Sequence, residues 1–178
     1  MQALEALGHA SRARTKAKII GVTGSAGKTG TKEALYAALD RYSRGRAHRS
    51  VKSYNNHVGV PLSLARMPAD CDFGIFEMGM NHAGEIAGLT TQVCPHVAVI
   101  TTIAPAHIEN LGSEEAIVDA KAEIFDDAGI DDLVTPQKHH ALTQRLEIPT
   151  AQIESVDGHK STARMAQAEK NVEQRTGP

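Results

Sequence analysis

The sequence predicts an α/β fold in which a mostly parallel β-sheet is flanked by helices. Apolar runs that suit buried strands alternate with helical patterns, which is typical of parallel sheets covered on both faces. A polar motif follows each strand directly, and ligands of such sheets gather beyond the carboxyl ends of the strands. We therefore expect one composite site. The strands are residues 19–22, 73–76 and 97–101, and the motifs are 24–29, 77–81 and 104–109.

The first two helical patterns lie on either side of the first strand. Residues 2–17 suit a short polar helix or linker, and 29–39 suit a helix with an apolar face. The basic residues near the start suit a solvated face, since no aromatic residue is interleaved with them. They are Arg12, Arg14, Lys16 and Lys18. The residues of the apolar face are Ala34, Leu35, Ala38 and Leu39.

Three later helices are also indicated. Pro61 suits the first turn of a helix that runs to residue 67, because its fixed φ matches a helix and its missing N–H is not needed there. Residues 84–92 suit the next helix. Ser113 suits the N-cap of a helix that reaches residue 125, with Glu114 and Glu115 in the first turn, where the helix dipole favours acidic side chains.

The composition favours one domain and argues against several classes of partner. The chain has 178 residues and a net charge of −2, which gives no basis for binding nucleic acid or an anionic membrane. Its two cysteines have neither a metal-ligand spacing nor the density of a disulfide scaffold, which favours a reducing cytoplasm. No apolar run approaches the length of a membrane span, so we expect a soluble cytoplasmic protein without membrane insertion.

The strongest single signal is a glycine-rich turn between the first strand and the second helix. Its glycines let successive backbone N–H groups point inward, and the start of the helix adds unpaired N–H groups that suit phosphates. Lys28 would reach the outer phosphates of a nucleotide, and the Thr29 hydroxyl would hold Mg2+. The residues assigned to this phosphate cradle are Gly24, Ser25, Ala26, Gly27, Lys28 and Thr29.

The spacing of this turn departs from the common phosphate-binding loop. A glycine usually stands five residues before Gly27, and Val22 stands there instead. The alternative interpretation is a glycine-rich turn between strand and helix with a surface lysine. The flanking strand and helix favour the phosphate cradle.

Two further polar residues follow the second and third strands. Glu77 ends an apolar strand, from which a carboxylate reaches a nucleotide-bound Mg2+; the alternative is a solvated surface group. His107 lies just beyond the third strand, where an imidazole binds a metal or phosphate or has a purely structural role. The sequence position leaves both alternatives open for His107.

Lys121 is unusual because its helical neighbours Ile117, Ile124 and Phe125 are apolar. A buried ammonium must find anions, lose its proton or be modified. The alternative is a lysine whose stem packs against the apolar face while its head reaches solvent. Two adjacent asparagines, Asn55 and Asn56, are either polar ligands or ordinary turn residues.

Taken together, five ordered motifs resemble the central ATP-binding domain of the Mur ligases. The stretch Glu-Met-Gly-x-Asn-x-x-Gly-Glu-Ile is the one that points, within that family, to the group that adds D-alanyl-D-alanine. The resemblance covers about residues 19–125. The motifs are residues 21–29, 55–61, 77–86, 106–109 and 119–125.

The resemblance implies an ATP-dependent amide ligase of peptidoglycan precursor synthesis, acting as a monomer. ATP would phosphorylate the terminal carboxylate of UDP-MurNAc-tripeptide, and the amine of D-Ala-D-Ala would attack the acyl phosphate. Lys28 would neutralise charge on the transferred phosphoryl group, and Asn56 would line the cleft for nucleotide and substrate. A non-catalytic nucleotide-binding module is the alternative, together with another amide ligase of the same superfamily.

The resemblance also implies two magnesium sites. Thr29 and Glu77 would hold the first Mg2+. His107 and Lys121 would serve the second as catalytic residues, with the lysine carbamylated. Carbamylation would replace a cation that is awkward on an apolar face with a metal-binding anion.

Family members also have an amino-terminal and a carboxyl-terminal domain that bind the substrates, and we find neither in this chain. We therefore expect an incomplete ATP-binding domain that is inactive alone. Its expected parts are a linker or helix at 1–18, the domain itself at 19–128, and a divergent, loosely ordered tail at 129–178.

Overall fold

The computed structural model describes residues 1–106 and 108–126, and the backbone of 132–134. The strands are β1 (Lys18–Thr23), β2 (Ala47–Arg49), β3 (Phe73–Glu77), β4 (Val97–Ile100) and β5 (Asp132–Val134). The helices are α1 (Gln2–Arg14), α2 (Lys28–Tyr42), α3 (Gly59–Ala65), α4 (Glu85–Val93), α5 (Ile108–Leu111) and α6 (Glu114–Ala122), and a 3₁₀ turn follows at Glu123–Phe125.

Within the described residues the strands form one parallel sheet in the order β2-β3-β1-β4-β5. The predicted α/β fold is confirmed. The central strand β1 pairs Val22 with Glu77 of β3 and Thr23 with Ile100 of β4. This register brings the carboxyl ends of three strands to one edge, so the polar motifs that follow them meet there.

The two faces of the sheet are covered unequally. On one face a large cluster that includes Ile19, Phe76 and Ile100 packs against α3, α4 and α6. On the other face Ile20, Val22 and Ile75 pack against α2. Ser113 caps α6 as predicted, since its hydroxyl accepts the Ala116 N–H at 3.1 Å.

The predicted apolar face of α2 is half wrong. Leu35 and Leu39 pack on the sheet, but Ala34 and Ala38 are exposed. The fully buried residue of this helix is instead Lys32. Small alanines give little apolar area, so their spacing is weak evidence about which side of a helix is buried.

Three short elements have no counterpart in the sequence predictions. Strand β2 is a partly polar edge strand of three residues, and α5 is a single turn. Strand β5 lies within the segment predicted to be a divergent tail, and it continues the sheet beside β4. The remainder of that segment lies outside the described residues. None of the described helices has the length and hydropathy needed to cross a membrane.

Helix α1 packs closely on the rest of the domain. A Cβ atom at Gly8 would lie 3.2 Å from Pro61 Cα, so glycine permits the close approach of α1 and α3. Two residues of the basic cluster bind backbone carbonyls. Arg12 donates to Val93 O and Cys94 O, both at 2.7 Å, and Arg14 donates to Met67 O at 2.8 Å. Arg12 therefore caps the carboxyl end of α4, where helix carbonyls lack partners.

We expect Arg12→Ala to lower the free energy of unfolding by about 1 to 3 kcal/mol, because two carbonyls lose a charged donor. Urea denaturation followed by circular dichroism measures the change. The matched control is Lys16→Ala, since Lys16 is exposed and such surface changes cost about 0.5 kcal/mol or less. Equal midpoints for the two variants would show that α1 is held by its packing alone.

Candidate functional site

The glycine-rich turn joins β1 to α2 and depends on two glycines. Gly24 has φ +145 and Gly27, the N-cap of α2, has φ +83. These are conformations that residues with a Cβ rarely adopt. A Cβ at Gly24 would also lie only 2.0 Å from Thr101 Oγ1. The turn therefore combines unusual backbone angles with close packing against the segment that follows β4.

The segment that follows β4 holds the phosphate cradle in shape. Ser25 N–H donates to Thr102 O at 2.7 Å, and the Ser25 hydroxyl donates to Ala104 O at 2.9 Å. Thr101 Oγ1 donates to Ala26 O at 2.6 Å. The Ser25 amide is thus engaged within the protein, whereas Ala26 and Gly27 are exposed. Among the predicted cradle residues, Ser25 therefore links the glycine-rich turn to the segment that follows β4.

Lys28 and Thr29 begin α2 and face the end of β3. The Lys28 ammonium donates to Gly24 O at 2.6 Å, across the turn. Burial lowers the pKa of Lys28, and the nearby Glu77 carboxylate opposes this shift. The Thr29 hydroxyl donates to Glu77 Oε2 at 2.9 Å. Glu77 is only 1% exposed, which excludes the solvated alternative for this residue.

Asn55 contacts Glu77 more closely than the sequence analysis anticipated. The Asn55 side-chain NH2 donates to Glu77 Oε1 at 2.8 Å, and the Asn55 backbone carbonyl accepts the Gly79 N–H at 2.7 Å. A Cβ at Gly79 would lie 2.9 Å from the Asn55 side chain, which explains the glycine after Glu-Met. Asn56 Oδ1 instead accepts N–H groups from Val58 and Gly59 at the start of α3.

Lys32 is a site residue that the sequence analysis missed. Its side chain is 0% exposed, and its ammonium lies 3.6 Å from Glu77 Oε2 and 3.3 Å from Glu33 Oε1. It also donates to the Lys52 carbonyl. The signal was its spacing, because a residue three positions after Thr29 lies on the same face of α2.

Lys121 is buried in α6, which packs on the face of the sheet opposite to α2. It is 2% exposed, so its head does not reach solvent, and its helical neighbours Ile117 and Ile124 are fully buried. Burial, assisted by the positive charge of Lys28, lowers the pKa of Lys121 to about 8. The apolar surroundings predicted for Lys121 are present. His107 lies outside the described residues.

A cavity of about 490 Å3 opens beside Lys28. Asn55 and Asn56 line one side of this cavity, and residues of the segment 79–92 line the other. Glu123, which follows α6, fixes that second side. It accepts the Gly84 N–H at 2.6 Å and the Ala87 N–H at 3.0 Å, and so caps the start of α4.

The groups at this edge suit a magnesium ion that arrives with phosphates. Thr29 and Glu77 offer a hydroxyl and a carboxylate whose oxygens lie 2.9 Å apart. Mg2+ prefers such hard oxygen ligands and is usually bound through one or two carboxylates together with substrate phosphates. Within the described part of the chain no group of three or more His, Cys, Asp or Glu residues forms a metal site.

Comparisons with known proteins find relatives by sequence and by structure. The chain is 41% identical over 125 residues to UDP-N-acetylmuramoyl-tripeptide–D-alanyl-D-alanine ligase of Bacillus subtilis, covering 70% of this chain and 27% of that protein. It is structurally similar to MurF from Acinetobacter baumannii, with a TM-score of 0.76 and 33% identity over 82% of this chain and 33% of that one. MurF from Thermotoga maritima in complex with ADP gives a TM-score of 0.75 and 29% identity over 82% of this chain and 34% of that one.

The extent of these matches defines what they establish. The chain spans about a quarter of the length of the curated relative, 27%, and about a third of the solved chains, 33% and 34%. Residues 22–177 match the sequence family described as the Mur ligase middle domain. This range includes most of the segment that the sequence analysis predicted to be a divergent tail. The chain therefore belongs to the Mur ligase middle domain family.

Proposed function

We propose that this chain is the ATP-binding part of an amide ligase that adds D-Ala-D-Ala to UDP-MurNAc-tripeptide in peptidoglycan precursor synthesis. The observation that carries the proposal is the grouping of Lys28, Thr29 and buried Glu77 beyond the glycine-rich turn. A structural neighbour with the same domain was crystallised with ADP. The names of the curated relatives supply the two substrates.

In this proposal the chain's residues hold and polarise the nucleotide. The exposed N–H groups from Ala26 to the start of α2 would bind phosphate oxygens, aided by the helix dipole. Lys28 would exchange its bond to the Gly24 carbonyl for the outer phosphates. Thr29 and Glu77 would hold Mg2+, which neutralises charge on the phosphates when bound.

The reaction would proceed through an acyl phosphate. The terminal carboxylate of the tripeptide attacks the γ-phosphorus of ATP, and ADP leaves. The amine of D-Ala-D-Ala then attacks the acyl carbon, loses a proton, and expels phosphate as the amide forms. The cavity beside Lys28, with Asn56 on its wall, is where we place the reacting end of the tripeptide.

Lys121 is proposed to become a carbamate that serves a second Mg2+ together with His107. A lysine with a pKa of about 8 carries far more neutral amine near neutral pH than one at its ordinary value of 10.5. The neutral amine is the form that adds to CO2. The addition releases a proton and gives an anion, which would attract a metal ion and the nearby Lys28 cation.

A second candidate is a nucleotide-binding module with no turnover of its own. The phosphate cradle fits this candidate as well, since binding a nucleotide needs no second substrate. The two candidates share the phosphate cradle and differ in whether other segments complete the site. Another amide ligase of the superfamily is a weaker alternative, because the relatives found at 41% and 44% identity share one name.

The first prediction concerns the cradle. We expect the 178-residue chain to bind ATP weakly in the presence of Mg2+. Lys28→Ala should weaken binding by about tenfold or more, because a charge-assisted contact to phosphate is lost. Isothermal titration calorimetry measures both affinities. Lys16→Ala is the control for charge alone, and an unchanged affinity in Lys28→Ala would contradict the assigned cradle.

The second prediction concerns turnover. We expect the 178-residue chain by itself to form no amide product, because positioning two further substrates supplies much of the rate of such reactions. Mass spectrometry of the UDP-linked product and a phosphate-release assay test this directly. Phosphate release that requires both UDP-MurNAc-tripeptide and D-Ala-D-Ala would overturn it and favour a complete active site.

The third prediction concerns Lys121. With 13C-labelled bicarbonate we expect a carbamate signal in the NMR spectrum that grows as the pH rises through about 8 and is absent from Lys121→Ala. The rise follows from the sign of the equilibrium, since deprotonation releases the reactive amine. Lys52→Ala, at an exposed lysine, should leave the signal unchanged.

In an intact enzyme with the same motif, Lys121→Ala should lower turnover severely. Small added carboxylates should restore part of it by occupying the vacated anion position. Unchanged turnover in the alanine variant would remove the metal role from Lys121.

A further inference from the structure

Lys32 is a fully buried cation within the candidate magnesium site. Lysine is almost never fully buried unless it is paired. Three oxygen atoms from three separate segments surround its ammonium. They belong to Glu77 at the end of β3, Glu33 in α2 and the Lys52 carbonyl in the loop after β2. The charge at this position is therefore held in place by the fold.

The orientation of Glu77 does not depend on Lys32. Thr29 donates to Oε2 at 2.9 Å and Asn55 donates to Oε1 at 2.8 Å, so each carboxylate oxygen has a neutral donor. Lys32 is farther away, at 3.6 Å from Oε2. What Lys32 adds is a fully buried positive charge beside this buried carboxylate, in addition to the nearby charge of Lys28.

Thr29 and Glu77 would hold Mg2+ close to this ammonium, since the ammonium lies 3.6 Å from Glu77 Oε2. Two cations beside one carboxylate repel each other strongly where water is excluded. The phosphates of a nucleotide bring several negative charges to the same place, which offsets that repulsion. The balance of charges thus differs between a free metal ion and one that arrives with ATP.

We propose that Lys32 is a positioning residue that neutralises Glu77 in the nucleotide-free protein and so suppresses binding of free divalent cations until phosphates are present. The inference rests on the proposed function, because it takes Thr29 and Glu77 as the metal ligands. Its consequence is coupled binding, in which the metal enters together with the nucleotide.

The sign of one measurement separates this role from simple structural support. If Lys32 only held the site in shape, its removal would loosen the ligands and weaken metal binding. If its charge competes with the metal, its removal strengthens metal binding in the absence of nucleotide. Lys32→Gln suits the test because glutamine keeps a side-chain N–H donor but carries no charge.

The probe is Mn2+, whose free concentration is read by electron paramagnetic resonance without any enzymatic turnover. In the absence of nucleotide we expect Lys32→Gln to bind Mn2+ about tenfold or more tightly than the unmodified chain, since one unit of repulsion is removed at short range. Lys16→Gln is the control, because it removes the charge of an exposed lysine that precedes the amino end of β1. Its Mn2+ affinity should stay within about twofold.

A double variant covers the case in which Lys32→Gln folds poorly. Breaking a buried pair destabilises a protein more than replacing both partners. Lys32→Met combined with Glu77→Gln should therefore be more stable to urea than Lys32→Met alone. Failure of this recovery would show that the two charges are not paired and would overturn the inference.

The measurements separate a failure of the role proposed for Lys32 from a failure of the proposed function. Equal or weaker Mn2+ binding by Lys32→Gln overturns the inference even where the unmodified chain binds ATP. Tighter Mn2+ binding by Lys32→Gln, lost again when Glu77→Gln is added, supports it. No binding of ATP with Mg2+ by the unmodified chain overturns the proposed function, and the nucleotide-free Mn2+ comparison then still decides the role of Lys32.

Discussion

The buried carboxylate of Glu77 is the constraint on which the rest of the site depends. A carboxylate that is 1% exposed must be hydrogen-bonded and paired, or the fold would bear a large desolvation cost. Its partners come from different parts of the chain, namely Thr29 and Lys32 of α2 and Asn55 of the loop before α3. Satisfying this one group therefore fixes the start of α2, the end of β3 and that loop relative to one another.

Two glycines let the segments around Glu77 pack closely against their neighbours. Gly24 lets the phosphate cradle pack on Thr101, and Gly79 lets the end of β3 pack on Asn55. In both cases a Cβ would overlap with a side chain that takes part in the hydrogen-bond network. These motifs are separated in sequence but are in close contact in the structure. The close contact explains why each motif needs its glycine.

The sequence predicted those parts of the fold that local pattern determines. The apolar runs of β1, β3 and β4 are unmistakable because a parallel strand is buried on both faces. Strand β2 was missed because three partly polar residues at a sheet edge carry no such pattern. For the site, motif spacing indicated Glu77 and Lys28, whereas the roles of Asn55 and Glu123 follow only from tertiary contacts. The spacing of Lys32 from Thr29 indicated its face of α2 but not its partners. Hydrogen bonds between distant segments leave no periodic signal along the chain.

The charges around the cradle show what the nucleotide-free site lacks. Lys28, Lys32 and Lys121 lie at one sheet edge where Glu77 is the central buried carboxylate, and burial lowers the pKa of both Lys28 and Lys121. Such a site has an excess of positive charge in poorly solvated surroundings, which a triphosphate would relieve. Carbamylation of Lys121 would change its charge from positive to negative, and the excess would then fall enough for a second divalent ion to enter. The order of these steps, first the anion and then the metal, follows from the same repulsion between cations that Lys32 exerts on the first ion.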